Sequence, residues 1–476
     1  MIGVLRLNIK RLIHEQTYEY AKFAGMKRRS FIKKSSLGAS ALSVLPYWLS
    51  GCKKDELGTF PEGFKIIVVG AGAAGLYAAK KMKEQGAQVQ ILEASGLIGG
   101  RIRKNEDFAD FPIDLGAEWI HGNKSLSHQL AQDSGFQFFE DQGEEAFLVN
   151  GQIQSNYSSS ILENITGILD GDVGYNGPDI SILQYAQQQG MASQDFGILE
   201  YIAGEFGTSA ESLSLLHTQR EGEAWSSGNK DFKFKRTYFD LLNEVIAPSV
   251  LEHVQFNSPV TSINYSAEKV VVTIENDDTF EADRVLITAS LAVLKSGIIS
   301  FSPALPTAKQ QAIQSIGMDT GMKILLKFSQ DFWSETSLIG ADNAPVYWNT
   351  SYEKNGSDHV LSAFVMGNKA AQLTALGQDA ISTLLGELDA VYNGQATATY
   401  LEGLIMDWGQ EPYIRGAYSY SSLGIGNQRT VLAESIDNKV HFAGEATATN
   451  GHFQTVQGAL ESGEREFLAM LESVSG

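Results

Sequence analysis

Three glycines at fixed spacing, Gly70, Gly72 and Gly75, follow the apolar, β-branched run Phe64–Val69, and that combination can bind a dinucleotide pyrophosphate. Gly70 permits a tight turn, Gly72 lets backbone amides approach phosphate oxygens, and Gly75 lets a following helix lie close on the strand. That helix, expected over Ala73–Gln85 with Ala73 and Ala74 in its first turn, points unsatisfied N–H groups and a positive dipole end at the phosphates. A second strand over Gln88–Leu92 delivers Glu93, a carboxylate suited to a ribose hydroxyl. Past Glu93 and Ala94, the run Gly99-Gly100-Arg101 offers two glycines and a cation from the other side.

The rest of the chain must supply elements to hold these groups. Residues 126–245 read mainly as helices with polar loops. From Val254 the pattern turns to short β-rich runs, with a strand pair at 258–265 and 269–274 and a third strand at 282–289. Gly321–Phe328 reads as a strand in which Lys323, Leu325 and Lys327 share one face. Val440–Ala443 reads as a buried strand running into Gly444-Glu445, and an amphipathic helix with Thr455 as its first cap runs through Val456 to about Leu471.

The Gly99–Arg101 segment, the run Asp114–Gly122 and the segments around Lys323 and Trp408–Tyr420 resemble, in order, the FAD-dependent amine oxidases. The likeness is greatest to the polyamine oxidases and lysine-specific demethylases. It implies an α/β fold with a composite Rossmann-type FAD domain and a second α+β substrate domain. The FAD domain would take residues 63–130, 240–300 and 410–476, and the substrate domain 131–239 and 301–409. It implies FAD contacts at the glycines and Glu93–Arg101 already named, and at Gly116, Ala117, Glu118, Trp119, Val260, Gly444, Glu445, Thr455 and Val456. By position, Lys323 matches the family lysine that holds a water against the flavin. Buried among apolar neighbours, such a lysine has its charged form disfavoured and can assist proton movement.

Trp408 and Tyr418 match the aromatic wall beside the flavin, and His121 matches a position facing the substrate channel, with Glu118 adding negative charge nearby. Ala417 stands where animal monoamine oxidases place a flavin-linked cysteine, so the resemblance implies FAD bound without a covalent link. Three other positions depart from the pattern. Ser290 replaces a common proline, Gln457 a common histidine, and Thr455 the second cage tyrosine of monoamine oxidases. The implied reaction is oxidation of a small cationic amine by O₂ to an imine and hydrogen peroxide, with a polyamine ahead of a monoamine. An L-amino-acid oxidase or tryptophan 2-monooxygenase is the alternative, and Arg415 is a candidate cation for its carboxylate. Outside that class stands a flavin- or NAD-binding protein without amine chemistry.

Charge narrows the partners. The chain of 476 residues carries a net charge of −20, yet residues 1–51 hold nine Lys/Arg against two Asp/Glu. The other residues, with 27 Lys/Arg and 54 Asp/Glu, therefore carry −27, which disfavours nucleic acid and favours cations. The single cysteine, Cys52, excludes an intramolecular disulfide and a cysteine-based metal site. Lys27–Lys33 resembles a twin-arginine export signal, and Leu49-Ser50-Gly51-Cys52 a lipoprotein processing box. Residues 1–51 are thus expected to be an export leader and 52–62 a tether, with lipid on Cys52 anchoring the protein in a bacterial periplasm or envelope.

Overall fold

The computed structural model describes residues 58–474; the expected leader and Cys52 lie outside them. The strand Lys65–Val69 is central in a five-stranded parallel sheet. Gln88–Leu92 and then Val254–Gln255 lie on one side of it, Arg284–Ile287 and Val440–Phe442 on the other. Val68 pairs with Ile91 and with Leu286, so the apolar runs are buried on both faces, as a parallel sheet requires. One face is covered by the helices Ala73–Glu84 and Val456–Glu472, which pack on each other. A side chain at Gly463 would sit 2.5 Å from the Ala74 carbonyl, so glycine sets how closely they approach. A four-stranded sheet of Val260–Asn264, Val270–Ile274, Thr279–Ala282 and Ser300–Ser302 covers the other face.

A seven-stranded sheet makes the second large layer. Gly321–Phe328 lies in it between Tyr400–Asp407 and His359–Met366, antiparallel to both. A small antiparallel sheet joins Trp119–His121 to Asp231–Phe234 and on to Phe138–Glu140. Its register sets Trp119 opposite Lys233 and His121 opposite Asp231.

Residues 126–245 are mainly helical as expected, with Leu126–Ser134, Ser160–Leu169, Phe196–Glu205 and Leu215–Ala224 among the helices, but four short strands were not foreseen. Phe138–Glu140, Glu145–Val149, Gln152–Gln154 and Asp231–Phe234 are strands. Glu145–Val149 and Gln152–Gln154 form a hairpin across Asn150-Gly151, whereas Phe138–Glu140 and Asp231–Phe234 pair with distant chain; each strand is three to five residues long, too short for its periodicity to set it apart from loop. Ser290 has a clear role in place of proline. It caps the helix Leu291–Ser296 by accepting from the Val293 amide at 3.3 Å, and its hydroxyl donates to the Ile414 carbonyl at 2.5 Å. No helix among the described residues is long and apolar enough to cross a membrane.

Candidate active site

The glycine triplet opens one end of a cavity of about 660 Å³. Gly70 has φ of +107°, and Gly75 packs so tightly that a Cβ would lie 2.1 Å from the Gly70 carbonyl oxygen. Gly72 is the cap of the following helix and has no side-chain partner for the first-turn amides, which leaves them directed at the cavity. Here glycine preserves space. A Cβ at Gly72 would meet nothing nearer than 4.0 Å, and one at Gly444 nothing within 4 Å, so both would intrude on the cavity they line. Glu93 folds the rim, accepting from the Ala71 amide at 2.7 Å and from the Ser95 amide and hydroxyl at 2.9 and 2.7 Å.

Arg101 ties this rim to the C-terminal segments. Its Nη1 donates to Glu445 at 2.8 Å and to the Ala417 carbonyl at 2.7 Å. Burial raises the pKa of Glu445, but Arg101, Ser419 and Arg429 together hold it below the usual carboxylate range. Thr455 caps the helix Val456–Glu472 by accepting from the Gly458 amide at 3.1 Å, and Thr455 and Val456 line the cavity. Two helix N-termini, a string of small residues and a long cleft suit a dinucleotide with phosphates at one end. These residues fit FAD.

The other end of the cavity is aromatic and charged. Lys323 donates to the Asp114 carbonyl at 2.6 Å, to Glu118 at 2.9 Å and to the Gly116 carbonyl at 3.3 Å. Glu118 also faces Lys233 at 3.1 Å, and the side chains of Lys323, Glu118 and Lys233 are only 3%, 3% and 7% exposed. Burial alone would raise Glu118, yet Lys233 and Lys323 pull it down to about 2. Lys233 sits 4.1 Å above the Trp119 ring, and Trp119 meets Trp348 edge-on at 4.6 Å. Asp114, buried behind them, is pushed up from the ordinary carboxylate range by desolvation, against the pull of Lys354 and Lys323.

Every expected site residue lines this one cavity except Arg415 and Gly75, the latter packing behind it. Trp408 and Tyr418 are both in the wall. The Trp408 indole lies against Gly116 and donates to the Leu115 carbonyl at 3.3 Å, while Tyr418 donates to the Gly204 carbonyl at 2.9 Å. His121 pairs through Nδ1 with Asp231 at 3.0 Å. Gln457, the departure from histidine, is fully buried and donates to the His121 carbonyl at 3.0 Å, so it steadies that strand from behind.

Three expectations need correction. The surroundings of Lys323 are not apolar, because a carboxylate and two carbonyls converge on its ammonium. Glu118 brings no uncompensated charge, since it lies between two lysines. Arg415 is exposed, donates to the Pro412 carbonyl at 2.9 Å and does not line the cavity. Sequence reasoning missed Lys233, Trp348, Asp141, Tyr201, Glu205 and Asp231. The signal for two of them was the alternation in Asp231-Phe-Lys-Phe234, which turns Phe232 and Phe234 to the core and Asp231 and Lys233 the other way.

Comparison with known proteins gives the same picture. Lysine-specific histone demethylase 2 of Homo sapiens is 28% identical over 444 residues, covering 84% of this chain and 52% of that protein. The chain thus spans about half the length of the demethylase. Probable polyamine oxidase 4 of Arabidopsis thaliana is 27% identical over 442 residues, covering 84% of this chain and 85% of the relative. In fold, the chain matches wild-type putrescine oxidase bound to putrescine with a TM-score of 0.74 at 21% identity, over 86% of this chain and 99% of that one. The family model for flavin containing amine oxidoreductase matches residues 73–251 and 236–466, nearly all of the described chain, and the protein belongs to that family.

Proposed function

We propose that the protein oxidises a carbon–nitrogen bond of a small cationic amine, with O₂ as electron acceptor, giving an imine that hydrolyses to a carbonyl product and hydrogen peroxide. One observation carries the reading: the glycine cradle and the Lys323 cluster are the two ends of a single cavity. FAD in that cradle would supply the redox step, taking the hydride equivalent from the amine carbon and handing electrons to O₂. The chain's own residues do the rest. Trp119, Trp348, Trp408 and Tyr418 exclude water and give an alkyl chain apolar surface. The helix amides behind Thr455 favour negative charge at their end of the cavity. Lys323 holds a proton-bearing nitrogen at the wall.

A polyamine fits the charge of the lining better than an amino acid. Asp141, Glu145, Glu205 and Asp231 all line the substrate end. Each Lys or Arg in the lining already faces a carboxylate: Arg101 faces Glu445, Arg103 faces Glu411 and Lys323 faces Glu118. A substrate carboxylate would need a cation that this lining has committed elsewhere. The names of the relatives, polyamine oxidase and putrescine oxidase, point the same way. Ala417, whose carbonyl binds Arg101, offers no sulfur, so the flavin is held without a covalent bond.

An amine panel tests the reading. Purified protein should release its yellow colour into acid, and spermidine but not tryptophan should bleach it without oxygen. Bleaching by tryptophan alone would move the assignment to amino-acid oxidation, and a flavin unchanged by every amine would overturn it. The leader motifs support export in folded form and lipid attachment at Cys52 in the cell envelope. Labelling with radioactive palmitate, lost in Cys52→Ala, is the corresponding check.

A further inference from the structure

We propose that Glu118 is a positioning residue for Lys323, fixing its ammonium at the cavity wall, and that it does not bind the substrate amine. Both carboxylate oxygens face a lysine of the protein, one through a hydrogen bond and the other as an ion pair alone. Oε2 accepts from Lys323 at 2.9 Å, and Oε1 faces Lys233 at 3.1 Å. Lys233 is itself fixed by the strand register opposite Trp119, by the indole face at 4.1 Å and by Asp141 at 3.9 Å. A protonated lysine has three N–H donors. Those of Lys323 meet three acceptors, and all three belong to the loop Asp114–Glu118. Two of these are neutral carbonyls, so Glu118 is the one charged tether. A substrate ammonium arriving at Glu118 would be the third cation on a carboxylate that already faces two.

The roles separate by kinetics. If Glu118 positions Lys323, Glu118→Gln lowers kcat about tenfold or more while KM stays within about twofold. If Glu118 gripped the amine, KM would rise and kcat would hold. This arm rests on the amine-oxidase reading, so two further measurements stand apart from turnover: the visible absorption of the bound flavin and unfolding by denaturant. In both, and in kcat, the effect of Glu118→Gln should largely vanish in a Lys323→Met background. Effects that add independently, or a Glu118→Gln enzyme with unchanged kcat, would overturn the proposal. Lys323 left without its carboxylate, and Lys233 with only Asp141 at 3.9 Å, can prevent folding. The double variant Glu118→Gln/Lys233→Met removes the stray charge and the tether together, and should show the same loss of kcat. A protein that turns over no amine but shows coupling between positions 118 and 323 would sink the function and keep this inference.

Discussion

At its glycine end the cavity is walled by backbone, with small residues holding open a space that first-turn amides face. At its Lys323 end it is walled by long side chains, with two lysines and a carboxylate buried between indole rings. The first end depends on what is missing, since any added atom fills space or meets a carbonyl. The second depends on what is present, since any removed charge strands its partner. Substitutions should therefore fail in opposite ways at the two ends.

Gly75→Ala is the severest test of the first end. Alanine is the better helix former by about 1 kcal/mol, so propensity alone predicts a gain. The Cβ would nevertheless fall 2.1 Å from the Gly70 oxygen and 3.1 Å from the Val68 side chain. The expected outcome is a loss of about 3 kcal/mol and a protein purified without flavin, read from its absorbance and denaturant midpoint. Lys323→Met tests the second end. It should keep its flavin and lose about a hundredfold in turnover with amine. A Lys323→Met protein purified without flavin would break the contrast. Glu445→Gln probes the junction, where one carboxylate holds Arg101, the Ser419 hydroxyl and the Gln454 amide. It should cost about 2 kcal/mol and weaken flavin retention together, because both ends share it.

The two ends also differed in how far they could be read from sequence. The cradle rests on backbone conformation over a short stretch, so glycine spacing and strand patterning were sufficient to place Gly70–Gly75, Glu93 and Gly99–Arg101. Lys323 was placed correctly on its strand, but its neighbourhood was not. The carboxylate that meets it is 205 residues away, and no local pattern reports such a contact. Lys233 lay in a four-residue strand whose alternation was present and whose partner strand, Trp119–His121, was not recognisable as one. Buried ion pairs of this kind become visible only once sheet registers are fixed.

The last expected effect concerns Asp114, and its sign is the informative part. Its carboxyl is fully buried and accepts from the Tyr238 amide at 2.9 Å. Desolvation raises its folded pKa above the ordinary value of 3.8, so the folded state keeps a proton that the unfolded chain gives up. Below that ordinary value both states are protonated and the group is neutral to stability. As pH rises above it, the unfolded state is favoured progressively until the folded carboxyl also ionises near neutrality. An asparagine in its place would not titrate and could still accept from the Tyr238 amide. Asp114→Asn should therefore match the parent near pH 4 and become the more stable of the two as pH rises toward 8. The opposing pull of Lys354 and Lys323 is already contained in that net rise, so the direction of the difference is the prediction. Denaturant midpoints of both proteins across that range give the difference directly. A difference that shrinks as pH rises would mean that Lys323 and Lys354 outweigh desolvation, and that the charged end of the cavity extends one residue deeper than its wall.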